Sequence, residues 1–166
     1  MDAILNRKSI RKYKDIKVSD EIVEELLKAG MAAPSAGNEQ PWEFIVLRGK
    51  EIMKKITEVH PYSQMLLNTD VAIVVFGDES KEVFKGFWVQ DCSAAAENIL
   101  VAAEDKGLGA VWLGVHPMED RVGAIKEILN LPASVIPLSI IPVGYPDEER
   151  KPSDRFNKAR IHHDRW

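Results

Sequence analysis

At 166 residues the chain has the length of one ordinary domain, and its 45% apolar content is enough to bury a core without disulfide or metal staples. A formal net charge of -4 with 29% charged residues describes a solvated, mildly acidic surface, which excludes bulk attraction to nucleic acid or to an anionic membrane. The single cysteine, Cys92, cannot form an intramolecular bridge, and the opening MDAILNRKSIRKY carries no apolar stretch ahead of a cleavage site, so a cytoplasmic protein without a signal peptide is expected.

No repeat, low-complexity stretch or linker divides the sequence, which reads as a single domain over 1–166 with a C-terminal arm over 146–166. Asp2 to Arg7 opens a short helix. Ser19 reads as an N-cap, followed by Asp20 and Glu21 at the positive end of a helix dipole. Ile22, Val23, Leu26 and Leu27 continue that helix as an apolar stripe, with Gly30 as its expected end. Ala33 to Pro41 is dense in turn formers and reads as a loop, and Phe44 to Leu47 as a strand. Lys50 to Val59 is amphipathic, with Ile52, Met53, Ile56 and Val59 expected inward. Val71 to Phe76 is a continuous β-branched run, hence a buried central strand, and is far too short to span a bilayer.

Phe87 to Lys106 is the longest helix candidate, rich in small side chains from Cys92 to Leu100 and ended by Gly107. Ala110 to Leu113 reads as a third strand closed by Gly114, and Met118 to Leu129 as a helix. Val135 to Val143 is the last strand. Pro137 and Pro142 cannot donate to a ladder, so that strand is expected at an edge or bulged. No glycine-rich phosphate loop follows any strand, which disfavours a dinucleotide fold and a P-loop NTPase.

Four segments could carry chemistry. Arg7, Lys8, Ser9 and Arg11 place three cations and a hydroxyl within five residues. A phosphate dianion asks for that set, paired donors from arginine and a point charge from lysine, though a short charge run is also an ordinary solvated face. Pro34 to Trp42 offers Ala36 and Gly37 for close backbone approach, with Asn38 and Gln40 each carrying a donor and an acceptor. That suits a flat ring with alternating C=O and N–H groups, and equally an ordinary loop. Val111 to Gly114 could present a backbone N–H to a cofactor, or could be a core strand with Trp112 buried. In the tail, Lys151 and Arg155 are four residues apart and could share an anion, or belong to a plain charged tail. Neither Cys92 nor His60, His116, His162 and His163 reads as reactive or metal-binding, and Asp91 and Glu97 on the long helix face different sides, which argues against a paired-acid site. Trp88, Trp112 and Trp166 read as packing residues.

These segments occur together in one order. The opening R-K-S-I-R-K-Y, the loop A-P-S-A-G-N-E-Q-P-W, the helix Q-D-C-S-A-A-A-E-N-I-L, the segment G-L-G-A-V-W-L-G, the late P-V-G-Y-P and the closing R-F-N-K-A-R-I-H-H-D-R-W resemble an FMN-binding nitroreductase of the short, single-domain kind, over essentially the whole chain. The resemblance implies an α+β three-layer sandwich with a mainly antiparallel sheet. It also implies a homodimer in which the small-residue helix packs against its mate and the arm crosses over. It implies that Arg7, Lys8, Ser9 and Arg11 hold the FMN phosphate and ribityl end. Pro34, Ser35, Ala36, Asn38 and Gln40 of the other subunit then lie against the ring system. The Leu113 and Gly114 amides come near flavin N5, and Lys151 or Arg155 helps with the phosphate. The activity implied is ping-pong transfer of electrons from NADH or NADPH to a nitroaromatic, quinone or similar acceptor, with no catalytic side chain and no metal. Ene reduction, reductive dehalogenation, flavin fragmentation or a non-catalytic redox module remain open on the same scaffold.

Overall fold

The run from Val71 to Phe76 organises the rest of the chain. It forms most of β2 (Val71–Asp78), and all six of its side chains are buried. A strand covered on both faces needs an apolar layer above and below, and the computed structural model, which describes residues 1–166, supplies both. Val71, Ile73 and Val75 point into one layer, beneath α2 (Asp20–Met31) and α4 (Trp88–Asp105), with Leu26, Ala95 and Ile99. Ala72, Val74 and Phe76 point into the other, beneath α3 (Lys50–Val59) and α5 (Glu119–Leu129), with Met53, Ile56 and Ile125. A fifth helix, α1 (Asp2–Asn6), lies against α4 at the surface and buries no residue.

β2 pairs with β1 (Trp42–Leu47) on one side and β5 (Val135–Gly144) on the other. Beyond β5 lie two short strands, β3 (Gly109–Ala110) and β4 (Leu113–Gly114). Every ladder is antiparallel. The result is the α+β three-layer sandwich expected from the resemblance. Local signals explain many of the boundaries. The Ser19 hydroxyl accepts the Ile22 amide at 3.3 Å and caps α2. Gly107, at φ 69°, takes the left-handed conformation that stops α4.

Tertiary packing changed other expectations. Gly30 does not end α2. It is buried inside the helix, and a Cβ there would sit 3.1 Å from Ile99, so the glycine lets α2 close onto α4. On α3, Met53 and Ile56 are buried, whereas Ile52 and Val59 are 38% and 37% exposed. β5 is internal, not an edge, and it is bulged. Val75 faces Ser139 while Phe76 faces Pro137, so Leu138 is passed over. Pro142 is tolerated because the third strand breaks opposite it: β3 pairs with Val143 and Gly144, β4 with Ser139 and Ile140, and residues 111–112 between them make no ladder. The alanines of α4 divide. Ala95, Ala96 and Ala103 are fully buried in this chain's own core, and only Ala94 and Ala102 look outward, half-covered. Every residue from Lys151 to Trp166 is exposed, and the Trp166 ring stacks on His162 at 4.3 Å.

Candidate functional site

Ile10 and Tyr13 anchor the basic opening in the core. The Ile10 amide donates to the Ala110 carbonyl at 3.0 Å, and Ser9 bridges Ala110 in parallel, so the segment runs along the outer side of β3. With the apolar anchors inward, the cations stay at the surface. Arg7 Nε lies 3.2 Å from the Glu97 carboxylate, and Lys8 Nζ lies 2.9 Å from Glu104, both acids projecting from α4. Arg11, Lys151 and Arg155 form no ion pair. The Arg11 backbone N–H donates to Glu148 at 2.5 Å, and that hydrogen bond is the main reason the Glu148 carboxyl is held below the usual value.

Two clefts meet this segment. One, of about 510 Å³, brings Arg7 together with Arg155, beside Asn6 and Ser153, with Asp154 its only acid. The other, of about 560 Å³, brings Lys8 together with Arg150 and Lys151, but Glu104, Glu148 and Glu149 line it too. Its three cations are matched by three acids, so the first cleft is the better seat for a dianion although the second is larger.

From Ala110 the chain continues along the same edge to Gly114, four residues on, or about 13 Å at ~3.3 Å per residue. Leu113 is 4% exposed and its side chain belongs to the core. Gly114 is open. A Cβ placed there would have Trp112 Nε1, at 3.8 Å, as its nearest neighbour, so a flat group can approach the backbone. Its carbonyl is fixed by two donors, His60 Nε2 at 2.9 Å and Arg121 at 3.1 Å. Nδ1 of His60 accepts the Tyr62 amide at 3.3 Å, which assigns the proton to Nε2. Burial is the largest cause pushing the His60 pKa down, and the nearby Arg121 cation adds to it. The Arg121 guanidinium also lies 5.6 Å from the centre of the exposed Tyr62 ring. Sequence reasoning passed over His60 and Arg121. A lone histidine and a helix arginine carry no local signal, and only the fold brings them to Gly114.

The loop from Pro34 to Gln40 is tightly specified. Gly37, Asn38 and Gln40 all have positive φ, at 53°, 59° and 48°, a region that suits glycine, is tolerated by asparagine and is strained for glutamine. Side chains hold this shape. The Gln40 amide nitrogen donates to Asn38 Oδ1 at 2.9 Å, its backbone N–H to Ser35 Oγ at 3.1 Å, and the Ala36 N–H to Asp91 at 3.1 Å. Asp91 is in the first turn of α4, whereas Glu104, which holds Lys8, is thirteen residues further along it. That is about 20 Å at ~1.5 Å per residue. Lys8 is therefore held near one end of α4 and Ser35, Ala36, Asn38 and Gln40 near the other, with Arg7, and Arg155 in its cleft, in between at Glu97. Cys92 plays no part: its thiol donates to the Phe76 carbonyl at 3.3 Å, and burial pushes its pKa up to about 12.

An antiparallel three-layer sandwich with a basic opening laid along its short edge strands defines a class. The model of the Nitroreductase family matches residues 4–60 and 57–145, and the chain belongs to that family. It is 51% identical, over all of its length and 87% of the relative's, to a protein of Methanothermobacter thermautotrophicus described as "Putative NADH dehydrogenase/NAD(P)H nitroreductase". A crystal structure carrying the same description, from Parabacteroides distasonis, superposes with a TM-score of 0.96 at 46% identity, over 99% of this chain and 97% of that one. An FMN-dependent nitroreductase from Clostridium difficile superposes with a TM-score of 0.92 at 32% identity over the full length of both.

Proposed function

We propose that the chain is an FMN-dependent oxidoreductase that draws electrons from NADH or NADPH, passes them to a small oxidised acceptor, and is complete only as a homodimer. The residues present fit the cofactor. Its phosphate needs cations not already neutralised: Arg155 is one, in the same cleft as the half-buried Arg7, and Arg11, four residues along the opening, is another. Its ring needs bare backbone, which Gly114 offers, and its pyrimidine edge needs donors and acceptors together, which Asn38 and Gln40 offer. Bound FMN would supply hydride transfer at N5 and onward reduction of an acceptor such as a nitroaromatic or quinone. The chain's own part is to hold and orient. Arg7, Ser9, Arg11 and Arg155 bind the phosphate end, with Lys8 and Lys151 adding positive charge beside them. His60 and Arg121 immobilise the Gly114 carbonyl so that the Leu113–Gly114 backbone keeps its place at the ring. Donor and acceptor take turns at one exposed face, so steady-state kinetics should be ping-pong.

The observation that carries the reading is the run from Ser9, bridged to Ala110, along one edge to the open Gly114. A phosphate-bearing tail and a flat ring fit that cationic start and bare end. One feature supports the dimer. The exposed arm carries Phe156, Ile161 and Trp166 at 72%, 49% and 101% exposure, apolar surface that its own chain leaves in water. The test is a titration of flavin-stripped protein with FMN, followed by visible absorption and sedimentation. The reading predicts saturable binding by a dimer, and NADH or NADPH oxidation once a quinone is added. A colourless monomer indifferent to FMN would overturn it.

A further inference from the structure

The start of α4 gathers three carboxyl groups, and none of the eight ion pairs in the chain involves Asp91, Glu39 or Glu82. Each group does local work. Asp91 Oδ1 accepts the Ala36 amide at 3.1 Å. Glu39 Oε2 accepts the Val83 and Phe84 amides at 2.7 and 3.0 Å, tying the loop to the segment before α4. Glu82 Oε1 accepts the Gly86 and Trp88 amides at 2.8 and 3.1 Å.

What remains is anomalous. Glu39 Oε1 and Asp91 Oδ2 are both buried with no donor, although Asp91 is only 5% exposed. Buried carboxylate oxygens ordinarily find a partner. The two converge on one turn: Asp91 Oδ1 holds the Ala36 amide, the Glu39 amide donates to the Ala36 carbonyl at 3.0 Å, and Glu39 is among the groups that raise the Asp91 pKa. Two ionised carboxylates brought together there repel, whereas one proton between them satisfies both orphan oxygens.

We propose that Glu39 and Asp91 share a single proton, and that this carboxyl–carboxylate bond is the latch that holds the loop from Pro34 to Gln40 in its ring-facing shape and loosens as the proton leaves at rising pH. Both are positioning residues, acting on Ala36 and, through the loop backbone, on Asn38 and Gln40. The groups facing the pair agree in sign. Burial is the largest cause raising the Asp91 pKa, and Glu39 from the loop and Glu82 from the preceding segment raise it further. The Ala36 amide opposes them and is outweighed, and on its own helix the neighbouring Cys92 is an uncharged thiol. The folded state thus keeps a proton that the unfolded chain gives up. Its contribution is complete below the ordinary aspartate value and is lost as pH climbs through the raised one.

The link to the flavin rests on the function proposed above, so the experiment has one arm that needs no cofactor. Thermal unfolding of the flavin-free protein is followed from about pH 4 to about pH 9, across and above the ordinary aspartate value, alongside FMN titrations over the same range, for the natural chain, Asp91→Asn and Glu39→Gln. Either amide mimics the protonated partner, keeping its acceptor oxygen and adding a donor, and the two variants guard against one that fails to fold. The latch predicts that the natural chain loses thermal stability as pH rises, that its FMN affinity weakens on the order of tenfold, and that both slopes flatten in the variants. It also predicts an infrared carboxylic-acid band that outlasts those of the chain's ordinary carboxyls as pH rises and is absent in Asp91→Asn. A flat unfolding profile in the natural chain, or an unchanged slope in both variants, overturns the shared proton. If FMN binds at no pH, the cofactor assignment falls, and the unfolding arm still decides the proton.

Discussion

The two ends of α4 differ in how completely one chain finishes them. At its start, Trp88 is 4% exposed and packs so closely on β2 that a Cβ at Gly77 would lie 2.3 Å from its ring, and the adjoining loop has three left-handed residues held by hydrogen bonds. Towards its far end, the basic opening rests on two surface ion pairs, Arg11 and Arg155 have no acidic partner, and the arm buries nothing. A loop held in one shape by its own chain can present Asn38 and Gln40 to a ring, and a region left with unmet cationic charge and an uncovered arm is where a phosphate and a second chain belong.

This contrast can be broken at either end. The largest effect should come from the finished one. Trp88→Ala removes a buried ring beside His116 and should cost about 3–5 kcal/mol of folding stability, measured by denaturant unfolding. At the unfinished end, Arg11→Ala should leave apo stability within about 0.5 kcal/mol, because the side chain is exposed and unpaired. FMN affinity should fall on the order of 10–100-fold, the equivalent of one charge-assisted hydrogen bond of ~1.5–3 kcal/mol. Unchanged FMN occupancy in this variant would remove the opening from the site.

The smallest effect concerns pH. The His60 pKa is depressed, so its contribution is complete above the ordinary histidine value of 6.5 and is lost as pH falls through the lowered one. That is opposite in direction to the Asp91 limb. His60→Gln, which keeps a donor for Gly114 but cannot titrate, should remove the loss of stability on acidification and leave the loss on rising pH in place. A variant that keeps the first and loses the second would show that the two limbs are assigned the wrong way round.

The sequence carried the features that depend on neighbours along the chain. The cap at Ser19, the bounds of α3, the buried run of β2 and the stop at Gly107 follow from a hydroxyl, a 3.6-residue period, a β-branched run and a left-handed glycine. What it could not carry depends on partners far along the chain. Prolines argued β5 toward an edge, but a bulge at Leu138 and a break in the opposite strand let it sit inside the sheet. The basic opening and the small-residue loop were legible as candidates from their residue types. That Lys8 and the loop are held by opposite ends of one helix was not, nor was the convergence of Glu39 and Asp91 on Ala36, or of His60 and Arg121 at Gly114, because nothing near those residues announces a contact made across the fold.

The central claim is that one chain's cations and another chain's loop make a single site, and mixed dimers test it directly. Chains bearing Arg11→Ala are combined with chains bearing Asn38→Ala and Gln40→Ala, and FMN is counted per purified heterodimer. If the site is shared, both lesions fall in one site and the other is built wholly from natural residues, so the heterodimer should bind one FMN tightly although neither parent does. If each site lies within its own chain, every site keeps a lesion, and a heterodimer that binds no more FMN than its parents would contradict the account.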